Sequence, residues 1–160
     1  MWKNEEQHPS SPLQYSTKVL DKFILYSLII GFLGFMVATY LTILHYQNAL
    51  PPCSLTSNCE KVLMSQYAVI FGVPLALLGS LFYLGVIVLC LLIITNYKKV
   101  FLNAFYLFVI VGFIVSLLLI FIQAYFIGAY CQYCLISEAI STGLVILAFL
   151  KWRADKKLKL

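Results

Sequence analysis

The sequence predicts an all-α integral membrane protein, a four-transmembrane-helix bundle with a short extracytoplasmic half-helix between spans 1 and 2. Three observations carry that prediction. Hydrophobic residues make up 62% of the chain and charged ones only 11%, a balance that water-soluble chains do not carry. Long runs lack any charged side chain, and about 20 apolar residues cross a hydrocarbon core. The lysines and arginines, finally, gather in segments that an even number of spans would place on one side.

Span 1 is expected over about 23–45, where the run from Phe23 to Leu44 is free of charge. The second charge-free run, Ala68 to Tyr97, holds Gly72-Val73-Pro74 near its start. Proline is favoured in the first turn of a helix, so span 2 is expected over 73–97, beginning at Pro74 or just before it. The run from Val100 to Ser137 is 38 residues long, about 57 Å as a single helix. It must therefore turn back near Gly128, giving span 3 over 100–127 and span 4 over 131–150.

Ten of the eleven cations fall in the N-terminal tail (1–22), the turn at Lys98 and Lys99, or the tail 151–160. Short cation-rich segments stay on the cytoplasmic side. Both termini are thus expected in the cytoplasm of a multi-pass protein of the inner or plasma membrane, with the loop and half-helix of 46–72 outside. The net charge of +5 reports topology and not nucleic-acid binding. Glu5 and Glu6 in the polar tail, together with the length of the first apolar run, argue against a cleaved signal. Residues 1–160 read as a single membrane domain with no room for a second, soluble one.

Four of the five cysteines fall on the outer side, where thiol pairs can cycle as disulfides. Cys53 and Cys59 bracket CSLTSNC; Cys131 and Cys134 form a C-x-x-C that opens span 4; Cys90 lies among apolar residues of span 2 as a small hydrophobe. Ser57 and Glu60 fit a capping box, which would set Cys59 in the first turn of a helix, where unpaired N–H groups favour a thiolate. The half-helix begun there must end by Gly72.

In span 4, Cys131, Cys134, Glu138 and Thr142 fall within about 80° on one face. A carboxyl group about 10 Å below the first cysteine is expected to be protonated or partnered inside the bundle; a structural hydrogen bond to another helix would explain Glu138 as well. The chain lacks a dinucleotide fingerprint, a phosphate-binding loop and a haem-like pair of histidines; His8 and His45 are isolated. A membrane-dissolved quinone is then the simplest electron acceptor. Tyr125, Phe126, Tyr130 and Tyr133 could pack its ring or form an interfacial belt.

The C-x5-C pair, the stretch CEKVLMSQYAVIFGVPLALLGSLFY with its serine six residues after Cys59, and a C-x-x-C opening the fourth span together resemble the vitamin K epoxide reductase family in its prokaryotic form. The resemblance runs from span 1 to Leu150. It implies a helix bundle around a quinone of the ubiquinone, menaquinone or vitamin K type. On that resemblance Cys134 faces the quinone, Cys131 is its partner, Cys59 exchanges with Cys131, and Cys53 meets an extracytoplasmic thioredoxin-like protein. Because no thioredoxin-like domain is fused to the chain, that partner is expected to be separate. Ser65, Ala68, Phe71, Tyr130 and Glu138 are the positions expected near the quinone. Glu138 stands where animal members carry a tyrosine, and Ala68 and Val69 replace polar residues.

The implied activity is quinone-dependent thiol oxidation that supports disulfide formation in exported proteins, with lipid and quinone as further partners. Reduction of vitamin K quinone or its epoxide is the alternative activity within the same resemblance. Outside it stand a structural membrane protein whose loop is stapled to helix four by static disulfides, and a four-cysteine zinc site, which the C-x5-C spacing suits poorly.

Overall fold

The computed structural model describes residues 12–53, 59–96 and 98–158. Among the described residues, four helices are long and apolar enough to cross a membrane: Lys22–Tyr46, Leu75–Thr95, Lys99–Ile127 and Gln132–Lys156. Their parent elements are α1 (Pro12–Tyr46), α3 (Leu75–Thr95), α4 (Lys99–Ile122) and α5 (Gln132–Leu158), with the short α2 (Cys59–Leu63) between the first two. Helix α1 packs on α3 and α5, and α4 packs on the same two, so the four close into a ring.

Lengths depart from the sequence expectation at both ends of the bundle. Helix α1 starts at Pro12, a residue whose fixed φ suits a first helical position, so half of the expected tail is helical. Helix α5 runs eight residues past Leu150. The tail that follows is rich in lysine, with leucine, alanine and arginine beside it, all good helix formers, and Lys151 pairs with Asp155 one turn on. The Ser57 capping position lies outside the described residues.

The half-helix is shorter than the stretch 57–72 allowed. After α2 the chain forms a 3-10 turn (Gln66–Ala68) and a two-residue antiparallel ladder, β1 (Val69–Ile70) with β2 (Val73–Pro74). Phe71 and Gly72 both have positive φ, 51° and 80°, the backbone required at the two central positions of a tight hairpin turn. Pro74, extended at φ −60°, then caps the start of α3.

The core between the helices is apolar: Tyr83, Val86, Cys90, Phe105, Val109 and Leu144 are each at most 2% exposed. Small residues allow close approach, as is usual where helices pack in lipid. A Cβ on Gly34 would meet the Tyr83 ring at 2.4 Å, and one on Gly112 would meet Phe82 at 2.3 Å. Leu25, Phe32, Leu117, Leu118 and Ile146, by contrast, are about half exposed and turn apolar surface outward, toward the hydrocarbon that such a bundle requires. Cys90, fully buried in this core, is the small hydrophobe the sequence predicts.

Candidate active site

At the end of the bundle away from the chain termini, α4 gives way to a π turn, Gln123–Ile127, and Gly128 takes the left-handed conformation at φ 62°. This is the reversal that the length of the run 100–137 demanded. Four residues later, at Gln132, α5 begins, so Cys131 lies at its mouth and Cys134 in its first turn. Both are free thiols; Cys53 and Cys59 form a disulfide.

The two pairs share one buried cluster. Cys59, Val62, Ala129 and Cys131 pack together, with Cys53, Tyr133 and Cys134 against them. The loop is held there by the Pro52 carbonyl, next to Cys53, which accepts from Tyr133 Oη at 3.0 Å and from Gln132 Nε2 at 3.4 Å. Tyr133 therefore latches the loop disulfide onto the helix that carries the C-x-x-C.

Cys131 is fully buried. Its thiol is drawn below the ordinary thiol range to about 7, mainly by a hydrogen bond from the Cys134 thiol and also by backbone N–H groups of Tyr133 and Cys134, against the opposing effect of burial. A thiolate here is the competent nucleophile for a neighbouring disulfide.

Beneath the cluster lies a cavity of about 140 Å³, similar to an apolar cavity of about 150 Å³ that holds a benzene ring. All four long helices and the loop contribute: Ala38 and His45 from α1, Gly79 from α3, Leu119 from α4, and Tyr67 from the loop. Cys134, Ser137 and Glu138 of α5 open onto it, as do Ser65 and Ala68. Cys131 does not, so the C-x-x-C has one cysteine toward the loop pair and the other toward the cavity.

Glu138 is 6% exposed. Its Oε1 accepts from Gln123 Nε2 at 3.2 Å, and its Oε2 has no partner among the described residues. A carboxyl group with one orphan oxygen, in a cavity whose wall is mostly apolar, is what a hydrogen-bonding ring compound would complete. The residues fit a quinone in size, apolarity and polar handle.

Other residues singled out in the sequence sit elsewhere. Phe71 is fully exposed at the hairpin tip and Tyr130 is 46% exposed; neither lines the cavity. Positive φ at Phe71 turns the ring away from the bundle, and Tyr67 and Ala68 form that wall instead. Tyr125 and Phe126 are also exposed, the latter with its ring 5.8 Å from Tyr67. Thr142 shares the face of Glu138, but its hydroxyl donates to the Glu138 carbonyl in its own helix. Ser65 likewise donates to Val62 O at 2.8 Å while lining the cavity.

Gln123, Tyr83 and Ser137 are site residues that the sequence pattern does not single out, and His45, a lone histidine in the sequence, lines the cavity. A lone amide within an apolar run was the available signal for Gln123, because polar groups in spans face the bundle interior. Tyr83 gave none.

The model of the vitamin K epoxide reductase family matches residues 25–149. That stretch includes α3 and α4 whole, most of the spanning parts of α1 and α5, the loop pair and the C-x-x-C. Comparison with individual curated proteins finds no match. The four spans, the cysteine pairs packed at one end and the match over most of the chain agree, and they make this protein a membrane oxidoreductase of the thiol- and quinone-related kind: it belongs to the vitamin K epoxide reductase family.

Proposed function

We propose that the protein oxidises dithiols of a separate thioredoxin-like protein on the extracytoplasmic side and passes the electrons to a membrane quinone, so that disulfides form in exported proteins. The observation that carries this reading is the single cluster in which the Cys53–Cys59 disulfide packs on free Cys131 and Cys134, with Cys134 alone of the four bordering the cavity.

A quinone bound in the cavity supplies a two-electron, two-proton acceptor. Oxidation of the Cys131/Cys134 dithiol releases two electrons and two protons and leaves a disulfide. The loop dithiol then reduces that disulfide: Cys59 attacks Cys131, forming a mixed disulfide and expelling Cys134, and Cys53 resolves it. The oxidised loop pair and reduced inner pair that result are the arrangement seen here. The loop disulfide next takes two electrons from the partner's dithiol. Electrons run this way because a quinone is the stronger oxidant. Staples between loop and helix would have joined the two pairs to each other, and the structure has Cys53 bonded to Cys59 instead.

The test is a thiol count. Fully reduced protein carries five thiols; adding a short-chain benzoquinone should leave only Cys90, since the inner pair is oxidised, hands its disulfide to the loop, and is oxidised again. In Cys131→Ser no thiol should be lost. An unchanged count in the native protein would rule out quinone-linked oxidation.

A further inference from the structure

Gln123 opens the π turn, and it is held at both its backbone and its side chain. Its own carbonyl accepts from the N–H groups of Gly128 and Ala129. Its side chain is 4% exposed and spans from the start of α5 to Glu138. Turns of this kind recur at functional sites.

The chemistry of the neighbours dictates which way the amide faces. The backbone N–H of Cys131 can only donate, so the atom 3.1 Å from it must be the carbonyl Oε1 of Gln123. The amide then presents Nε2, which can only donate, to Glu138 Oε1 at 3.2 Å. Glu138 Oε1 is thereby committed as an acceptor. A carboxylate at this depth would hold a charge against a single neutral hydrogen bond, which is costly. A carboxylic acid has one O–H, and its carbonyl oxygen is the better acceptor, so the oxygen facing an N–H is favoured as the carbonyl and the hydrogen belongs on the other. It sits on Oε2, the atom that has no partner among the described residues.

We infer that Gln123 is a positioning residue: by bonding the Cys131 backbone it fixes the proton of Glu138 on Oε2, leaving that O–H free to donate to the carbonyl oxygen of a ring compound in the cavity beside Cys134. The identity of the ring compound as a quinone rests on the function proposed above; the hydrogen-bond chain does not. Any proton that Glu138 passes to the acceptor's oxygen is replaced from the Cys131/Cys134 dithiol, whose oxidation releases two, so the carboxyl ends the cycle as it began. Because the chain starts at the Cys131 backbone, a change in the C-x-x-C turn is felt at the acid.

Infrared spectroscopy of the full-length protein in detergent reads the carboxyl directly. Native protein should show a protonated carboxyl C=O band that is missing in Glu138→Gln and that shifts when a short-chain benzoquinone is added. In Gln123→Met, which keeps length and burial but removes the donor, the band should move to higher frequency. Its response to the benzoquinone should vanish, with binding weakened about tenfold. Gln123→Glu should restore the native band in acid, where its own O–H can donate to Glu138. Far-UV helicity and a single elution peak show that each variant is folded. A native band position in folded Gln123→Met, or an ionised Glu138 in the native protein at neutral pH, would overturn the inference. Should the native thiol count ignore the benzoquinone while the band still depends on Gln123, the quinone reading fails and the positioning role stands.

Discussion

The phenolic hydroxyl of Tyr83 donates to the Ser137 carbonyl across 2.6 Å, tying α3 to the turn of α5 that separates Cys134 from Glu138. Ser137 Oγ lies 3.0 Å from the same phenolic oxygen. Tyr83 is 2% exposed and its ring fills the space left by Gly34. Losing the hydroxyl in Tyr83→Phe should cost about 1 kcal/mol. Gly34→Ala forces the ring itself to move and should cost about 1–3 kcal/mol. Unfolding of both variants in detergent measures the difference; the alanine variant is expected to be the less stable.

The lowered pKa of Cys131 has a definite sign in pH. A thiol titrating at about 7 is a thiolate above that value and is protonated below it. Alkylation of Cys131 by iodoacetamide, followed by peptide mass analysis, should therefore rise through about pH 7 and level off. Cys134→Ala removes the main hydrogen-bond donor, so the midpoint should move up toward the ordinary thiol range.

Exchange between the pairs requires a Cys59–Cys131 mixed disulfide. Cys53→Ala and Cys134→Ala each remove a cysteine that resolves it, so both variants should accumulate a loop-to-helix cross-link. Cleavage between residues 60 and 130 and a non-reducing gel will show the fragments still joined. Peptide mapping should assign the bond to Cys59 and Cys131; a Cys53–Cys131 bond in Cys134→Ala would reverse the order of the two loop cysteines.

The Tyr133 latch on Pro52 O predicts a split between two rates. Tyr133→Phe should slow transfer from the loop pair to the C-x-x-C by about fivefold, the worth of one hydrogen bond of about 1 kcal/mol. Oxidation of the inner pair by quinone should change little, because the tyrosine does not line the cavity. Stopped-flow mixing of reduced protein with quinone separates the two phases.

Sidedness can be read in intact cells. A membrane-impermeant thiol reagent should label reduced Cys53, while a cysteine introduced beside Lys98 should stay unlabelled; the opposite pattern would put the loop in the cytoplasm.

The sequence by itself determined the class of the molecule and most of its cast. Charge-free runs can be long only where lipid replaces water, so the four spans were legible from composition. The reversal near Gly128 followed from length alone, because 38 residues of helix exceed any bilayer. The cysteines were legible because a C-x-x-C serves no packing purpose, and helical periodicity set Glu138 on their face. Periodicity fixes an angle about one helix axis and nothing beyond it. Which helix that face meets, and which groups wait there, depends on how four helices close into a ring. Only the tertiary structure could therefore bring Gln123 of the π turn between Cys131 and Glu138, or Tyr83 of α3 to Ser137. The same limit explains Phe71 and Tyr130. Ala68 and Pro74 line the cavity and Ala129 and Cys131 join the buried cluster, but the rings between them stay outside it, and at Phe71, where φ is positive, the ring is fully exposed.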